Sequence, residues 1–180
     1  MIVDLSFPHE YEIAEDLNGP YIGDSEIRLT NVSGYDYFRC IVVSRKRWIL
    51  SVQAGRLCGI LSTPAPQILC AVSFGECFLV DTSTPEPSIK GIAPDPAVDF
   101  KVLLSNELLL LIGFTSIVAV GKTGNVAWKS ADLAHDGLKI TKVEDNFLEG
   151  IASGVPPHTH GFVLDLKSGR HTGGFSWSGC

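Results

Sequence analysis

A short hairpin pattern recurs three times in the C-terminal two-thirds of this 180-residue chain, and it constrains the fold more than any other feature. In each copy, at residues 77–85, 117–124 and 162–169, a run of apolar residues leads into a polar turn. The turn residues Pro85, Gly124 and Gly169 are 39 and 45 residues apart. A period of about 40 residues is typical of stacked β units that bury their apolar faces against each other. The recurrence therefore predicts an architecture, but it supplies no chemistry.

The composition agrees with a compact protein of many short strands and turns. Hydrophobic residues make up 45% of the chain and charged residues 19%, with 18 glycines and 10 prolines. Almost no segment keeps the 3.6-residue period of a helix, and only residues 11–17 and 130–136 are expected to form short helical turns. A chain of this length can bury one core. We predict a single all-β domain over residues 1–180, with residues 1–25 as an acidic N-terminal arm.

One loop stands out among the predicted strands and turns. Four prolines, Pro85, Pro87, Pro94 and Pro96, fall within residues 82–96. Proline cannot donate a hydrogen bond to a strand ladder, so this stretch is expected to hold one short extended piece at most. Long loops inside compact domains usually have a function or mark a boundary. The loop is therefore a candidate binding segment.

Two of the hairpin copies resemble a known family. Residues 118–128, Val-Ala-Val-Gly-Lys-Thr-Gly-Asn-Val-Ala-Trp, are similar to the repeat of quinoprotein-type β-propellers, where a Thr-Gly turn is followed by tryptophan four residues later. Residues 162–169 resemble the same repeat, with Asp165, Ser168 and Gly169 in an Asp-x-x-Ser-Gly turn. In the first copy, Pro85 stands in place of the turn glycine.

The length of the chain limits what this resemblance implies. Four units of this length would use the whole chain, and four blades is the usual minimum for a closed propeller. The resemblance implies a small or incomplete β-propeller-like assembly of antiparallel hairpin repeats; a two-sheet β-sandwich is the alternative. Residues 128–174 also resemble short bacterial proteins that end in a Val-Asp-Leu-x-Thr-Gly type hairpin and have no assigned activity.

Charge and hydropathy exclude several classes of partner. The net charge of −6 provides no basic surface for nucleic acid or an anionic membrane. The longest apolar run, residues 108–120, is too short to cross a bilayer and predicts two strands or one bent strand. The N-terminus lacks the pattern of a secretory signal. Four of the five cysteines have apolar neighbours, which predicts buried thiols in a cytoplasmic protein.

Two glycine-containing motifs are similar to functional motifs, but the sequence around each favours an ordinary turn. Gly121-Lys122-Thr123 is followed by strand residues, whereas a phosphate loop opens a helix, so a β-turn is expected. Gly23-Asp24-Ser25 is similar to the nucleophile block of the Gly-Asp-Ser-Leu esterases. Such a serine needs a histidine base, and the chain offers no βαβ pattern, so an ordinary turn is again expected.

The histidines and paired carboxylates are the other chemical candidates. His158 and His160 lie on one side of an extended segment and could begin a metal site, although an exposed loop is the simpler interpretation. Carboxylate pairs occur at three places, and a glycosidase would need two of them across a sugar site. They are Glu15 with Asp16, Asp132 with Asp136, and Glu144 with Asp145.

Three functional hypotheses follow, and none assigns a catalytic, cofactor-binding or metal-binding residue or a cofactor. The first is a non-enzymatic module that binds a protein or small ligand through the Pro-rich loop or through a basic ledge of cations between Arg39 and Arg56. The second is a small hydrolase or metal-dependent enzyme that uses His158 and His160. The third is a structural protein that assembles into homo-oligomers by pairing strand edges such as residues 108–114.

Overall fold

The computed structural model describes residues 1–15, 25–30, 32–92, 95–154 and 158–175, and within them it has strands and no helix. Four sheets are formed. Sheet I has the order β2 (Glu12–Glu15), β4 (Tyr37–Val43), β5 (Arg47–Gln53), β3 (Ser25–Arg28), and sheet II has β1 (Ile2–Asp4), β6 (Gly59–Ser62), β7 (Ile68–Ser73), β8 (Glu76–Asp81), β9 (Ser88–Gly91). Sheet III comprises β10 (Ala97–Leu103), β11 (Leu108–Gly113), β12 (Ile117–Val120) and β13 (Val126–Lys129), and sheet IV comprises β14 (Leu138–Val143), β15 (Phe147–Ser153), β16 (Thr159–Asp165) and β17 (His171–Gly173). The all-β class is confirmed.

Successive hairpins build most of each sheet. Sheets III and IV are four-stranded antiparallel meanders, and β6 to β9 form the same arrangement in sheet II. In the described ranges, two strand pairs are parallel: β1 with β6 and β3 with β5. The expected hairpins at Pro85, Gly124 and Gly169 are confirmed as the turns of β8–β9, β12–β13 and β16–β17. The 108–120 run is confirmed as two strands.

The four sheets pack face to face in chain order through three apolar clusters. Strands such as β7 and β11 are buried on both faces, because alternate residues enter different clusters. Leu69 packs toward sheet I while Cys70 packs toward sheet III. Leu109 faces sheet II while Leu110 faces sheet IV. The two inner sheets are therefore sandwiched, and the alternative of a two-sheet β-sandwich is wrong.

The hairpin turns collect at two ends of this stack. The turns of β4–β5, β8–β9, β12–β13 and β16–β17 share what we call the upper end, since contacts between neighbouring sheets join them there. Neighbouring sheets are bonded there: Ser44 Oγ donates to the carbonyl of Thr82 at 2.9 Å. The lower end carries the turns of β7–β8, β11–β12 and β15–β16. A ligand at the upper end would therefore meet the hairpin turns that recur in the sequence.

Both helical expectations are wrong. The first segment contains β2, which pairs with β4 in sheet I, and its residues 16 and 17 lie outside the described residues. Residues 130–136 are not helical, because their backbone bonds neighbouring sheets: Leu133 N donates to the Thr115 carbonyl and His135 N to the Ser153 carbonyl. Within the described part of the acidic segment, β1 joins sheet II as well. No helix in the described residues could cross a membrane.

Candidate ligand-binding groove

Trp128 shows how two neighbouring sheets close against each other at the upper end. Its indole Nε1 donates a hydrogen bond of 2.7 Å from β13 of sheet III to the Leu166 carbonyl in the β16–β17 turn of sheet IV. The same ring lies on Gly169, where an added Cβ would come within 2.6 Å of Trp128 Cε3. Gly169 also has a φ of +70°, a conformation that favours glycine. Asp165 fixes this turn by accepting bonds from Ser168 N and Oγ.

Trp48 of sheet I occupies a comparable place next to the β8–β9 turn of sheet II, but its N–H is not satisfied. Trp48 precedes the turn residue Pro85 by 37 residues, and Trp128 precedes Gly169 by 41. Trp48 is only 1% exposed, and its Nε1 is buried with no hydrogen-bond partner. A buried unpaired donor costs about 1–3 kcal/mol. The difference between the two tryptophans marks the boundary between sheets I and II as unusual.

The local sequence explains why Trp48 lacks its acceptor. Leu166 lies three residues before Gly169, and the matching position before Pro85 is Thr82. The Thr82 carbonyl accepts a hydrogen bond from Ser44 Oγ, in the β4–β5 turn of sheet I, and none from Trp48. Proline also cannot adopt the positive φ of Gly169. The β8–β9 turn therefore does not close over Trp48 as the β16–β17 turn closes over Trp128.

A groove of about 270 Å³ lies at this boundary, and we call it the Trp48 groove. Ser25, Ile27, Lys46 and Trp48 line it from sheet I. Pro85, Glu86 and Pro87 line it from the β8–β9 turn of sheet II. The Pro-rich loop and one cation of the basic ledge thus meet in one place. Ile27, Trp48 and the two prolines make most of the lining apolar.

Lys46 and Glu86 give the Trp48 groove one cation and one anion. Lys46 lies two residues before Trp48, in the β4–β5 turn, and Glu86 lies on the turn from the other sheet. Both residues are exposed, and neither forms an ion pair with any residue in the described ranges. Both charges are therefore available to a ligand.

The other cations of the basic ledge do not join this groove. Arg39 lies on the outer face of sheet I, with its Nε 3.8 Å from Glu26 Oε1. Arg56 lies at the lower end, with its guanidinium carbon 5.1 Å from the centre of the Phe114 ring. Arg28 donates to Glu26 Oε2 at 3.0 Å and Ser51 donates to Oε1 at 2.6 Å, and these bonds lower the pKa of Glu26. The cations of the predicted basic ledge therefore lie on three different surfaces of the protein.

The expected β-turn at Gly121-Lys122-Thr123 is confirmed. Gly124 N donates to the Gly121 carbonyl at 3.0 Å within the β12–β13 hairpin. Lys122 is paired with Glu107, Nζ to Oε2, at 2.5 Å. No helix follows the turn, so it lacks the element that cradles phosphate in a phosphate loop.

The esterase pattern is not assembled. Ser25 lies at the upper end of sheet I, whereas His158 and His160 lie at the lower end of sheet IV, at the start of β16. His135 is also at the lower end, where its ring contacts Phe175 at 4.1 Å between centroids. Gly23 and Asp24 fall outside the described residues. A serine so far from these histidines has none of them as its base.

The metal and carboxylate candidates are also separate. Among the described residues, no group of three or more His, Cys, Asp or Glu side chains could hold a metal ion. His158 and His160 are exposed, and the His160 ring lies 5.6 Å from that of Phe175. Glu144 pairs with Lys142, and Asp132 lies near Thr115. Asp16 and the side chain of Glu15 lie outside the described part of the chain.

Two further grooves lie at the upper end. One, of about 320 Å³, lies between sheets III and IV beside Trp128, with Asn106, Asp145 and Lys167 in its lining. The other, of about 200 Å³, lies between sheets II and III beside Gly124. The larger groove has a satisfied tryptophan, because the Trp128 N–H is bonded to Leu166. The Trp48 groove is therefore distinguished by its buried free donor rather than by its size.

Trp48 is the residue that sequence reasoning missed. It lies in an apolar strand, and nothing in its neighbours separates it from an ordinary core tryptophan. Its spacing to Pro85, close to that of Trp128 to Gly169, was the available signal. Comparison with known proteins adds no further assignment: neither a protein-family model nor a curated protein sequence matches this chain.

Proposed function

We propose that this protein is a non-enzymatic binding module whose ligand occupies the Trp48 groove. The observation that carries the proposal is the buried Trp48 N–H without a partner on a residue that lines the groove. Natural structures pair nearly all buried polar groups, so an unpaired one calls for an explanation. A ligand acceptor that reaches this donor would remove the cost of leaving it unpaired.

The shape and lining of the groove support binding of a small molecule or of one or two side chains of a peptide. Ligand sites usually measure about 300–1,000 Å³ and combine apolar walls with a few polar groups. At about 270 Å³, the Trp48 groove lies near the lower limit. Its walls are mostly apolar, and it has a hydroxyl, an ammonium group and a carboxylate. Among the described residues, no histidine lines it.

The propeller-like assembly belongs to the same proposal. Four sheets packed in chain order, with the Trp128 indole bonded to the turn of the next sheet, support an arrangement like that of quinoprotein-type repeats. In this arrangement the upper end presents one groove at each sheet boundary. We place the protein in the cytoplasm on its four buried thiols, Cys40, Cys58, Cys70 and Cys77.

Assembly through strand edges has less support. The expected edge at residues 108–114 is not an edge, because β11 lies between β10 and β12 in sheet III. This correction removes the strand on which homo-oligomerisation was argued. Binding at the Trp48 groove does not depend on the oligomeric state.

Indole NMR tests the proposed function directly. The ¹⁵N-labelled protein gives separate indole N–H signals for its three tryptophans, which Trp48→Phe and Trp128→Phe variants assign. A library of metabolites and short peptides is screened in mixtures against the whole chain. We expect at least one compound to shift the Trp48 signal and to leave the Trp128 signal in place. A library that stabilises the protein only through other sites, with the Trp48 signal unmoved, would contradict the proposal.

A further inference from the structure

We propose that the ligand of the Trp48 groove is a small zwitterion: a carboxylate and an ammonium group on a short apolar body, as in a free apolar amino acid. This inference rests on the proposed function and adds the chemistry of the ligand. It follows from where the groove places its donors, its anion and its apolar surface.

The sheet I side of the groove provides the donors. Lys46 ends the turn that precedes β5, and Trp48 is the second residue of β5; both side chains line the groove. Trp48 faces sheet II, since it belongs to the apolar cluster between the two sheets. An indole N–H and an ammonium group can both donate to one carboxylate. Neither donor is engaged by a described residue. Lys46 is exposed and offers its ammonium group to a ligand carboxylate directly, whereas the buried Trp48 N–H donates only to a group that inserts between the two sheets.

The sheet II side of the groove provides the opposite charge. Glu86 lies between Pro85 and Pro87, and both prolines line the groove with it. The two prolines lack backbone N–H groups, so they offer a ligand apolar surface and no donors. Glu86 repels a ligand that carries only a carboxylate and attracts an ammonium group. A zwitterion has a favourable charge for Lys46 and for Glu86, whereas a simple acid or a simple amine has one for only one of them.

The volume sets the size of the apolar body. A space of about 270 Å³ accepts a molecule of the size of leucine and excludes most drug-sized ligands. Ile27 and the two prolines would contact its hydrocarbon part. The Ser25 hydroxyl adds one more hydrogen-bonding group at the rim.

Three probes of matched shape test the inference. Leucine is compared with 4-methylpentanoate, which lacks its amino group, and with 3-methylbutylamine, which lacks its carboxylate. Each is titrated into the ¹⁵N-labelled protein, and its dissociation constant is taken from the Trp48 indole signal. We expect leucine to bind about two- to five-fold more tightly than either analogue, because each exposed charge contact contributes a fraction of a kcal/mol to about 1 kcal/mol.

Two exposed variants separate the two charges. Lys46→Met should weaken leucine and 4-methylpentanoate about two- to five-fold and leave 3-methylbutylamine unweakened. Glu86→Gln should weaken leucine and the amine and should strengthen 4-methylpentanoate. Lys167→Met, at the groove beside Trp128, and Glu76→Gln, on β8, are the matched controls and should change none of the three constants. The Trp128 indole signal reports that each variant is folded.

The outcomes distinguish this inference from the proposed function. If 4-methylpentanoate binds at least as tightly as leucine, or if Glu86→Gln leaves leucine binding unchanged, the zwitterion is wrong and the groove still binds a ligand. If none of the three probes shifts the Trp48 signal at 20 mM, about the weakest binding such titrations follow, the zwitterion is also wrong. The library screen decides the proposed function separately, since it includes compounds of other charge.

Discussion

At the scale of single residues, hydrogen-bond partners decide which side chains are structural and which are available. Glu26 is fully engaged: it accepts from Arg28 and Ser51 and lies 3.8 Å from the Arg39 Nε. Trp48 has the opposite character, since it is buried and its N–H is unpaired. Both residues lie in adjacent strands of sheet I. Charge or hydropathy alone would not have separated them.

Glu26 makes the stability of the protein depend on pH. The hydrogen bond from Arg28 and then that from Ser51 lower the pKa of Glu26 from its ordinary value of 4.5. As pH falls, the unfolded chain therefore takes up this proton first. The contribution of Glu26 is present above pH 4.5 and is lost as pH falls through the lower pKa of the folded protein.

We expect Glu26→Gln to lower the urea midpoint at pH 7 and to have little effect near pH 2, where the carboxyl is protonated in both states. The loss at pH 7 should be about 0.5 kcal/mol, the usual contribution of a surface ion pair. Glu76→Gln, an exposed residue on β8, controls for the general loss of one negative charge. An equal loss at both pH values would show that the charge of Glu26 does not stabilise the fold.

At the scale of elements, the turn between the last two strands of sheets II and IV decides how each sheet meets its predecessor. In sheet IV the turn carries Gly169 at a φ of +70°, and the Trp128 ring lies against it. In sheet II the corresponding turn carries three residues that line a groove, Pro85, Glu86 and Pro87. Proline thus stands in sheet II where sheet IV has glycine, and the turn with proline leaves a groove beside its tryptophan, whereas the turn with glycine packs against its tryptophan.

The two tryptophans provide a matched pair of variants for this difference. Trp128→Phe removes a donor from the Leu166 carbonyl, and an acceptor that loses its partner costs about 1–3 kcal/mol. Trp48→Phe removes a donor that had no partner, so only packing is lost. We expect Trp128→Phe to lower the free energy of unfolding more than Trp48→Phe, by about 1 kcal/mol or more. Equal losses in urea unfolding would contradict this account of the two boundaries.

At the scale of the whole molecule, three apolar clusters link the four sheets into one stack. Leu69 belongs to the cluster between sheets I and II, and Leu110 belongs to the cluster between sheets III and IV. Both are fully buried. Because every sheet shares a cluster with the next, we expect the chain to unfold as one unit, as predicted for a single domain.

Unfolding followed at both ends of the stack tests this cooperativity. Leu69→Ala and Leu110→Ala should each destabilise the protein by about 2–5 kcal/mol. In each variant, the indole signals of Trp48 and Trp128 should be lost at the same urea concentration, since they report on sheets I–II and III–IV. An earlier loss of one signal in only one variant would indicate two units that unfold separately.

The sequence by itself determined the all-β class and the positions of the recurring hairpins. Alternating apolar runs closed by turns at Pro85, Gly124 and Gly169 place strands and hairpins, because side-chain periodicity and turn chemistry are local properties. The β-turn at Gly121-Lys122-Thr123 could also be predicted in place of a phosphate loop, because strand residues follow the motif. The sequence was misleading at residues 130–136, where bonds to neighbouring sheets override a weak local helical tendency.

Only the tertiary structure decided which residues meet. Lys46 and Trp48 from sheet I and Glu86 from sheet II are up to 40 residues apart in sequence, and the packing of two sheets brings them to one groove. The same packing separates Arg39 and Arg56, which the sequence had placed in one ledge. Whether a buried N–H finds an acceptor depends on the path of a turn in the next sheet. The residues next to Trp48 in sequence do not determine that contact, and so the candidate site could be identified only in the folded chain.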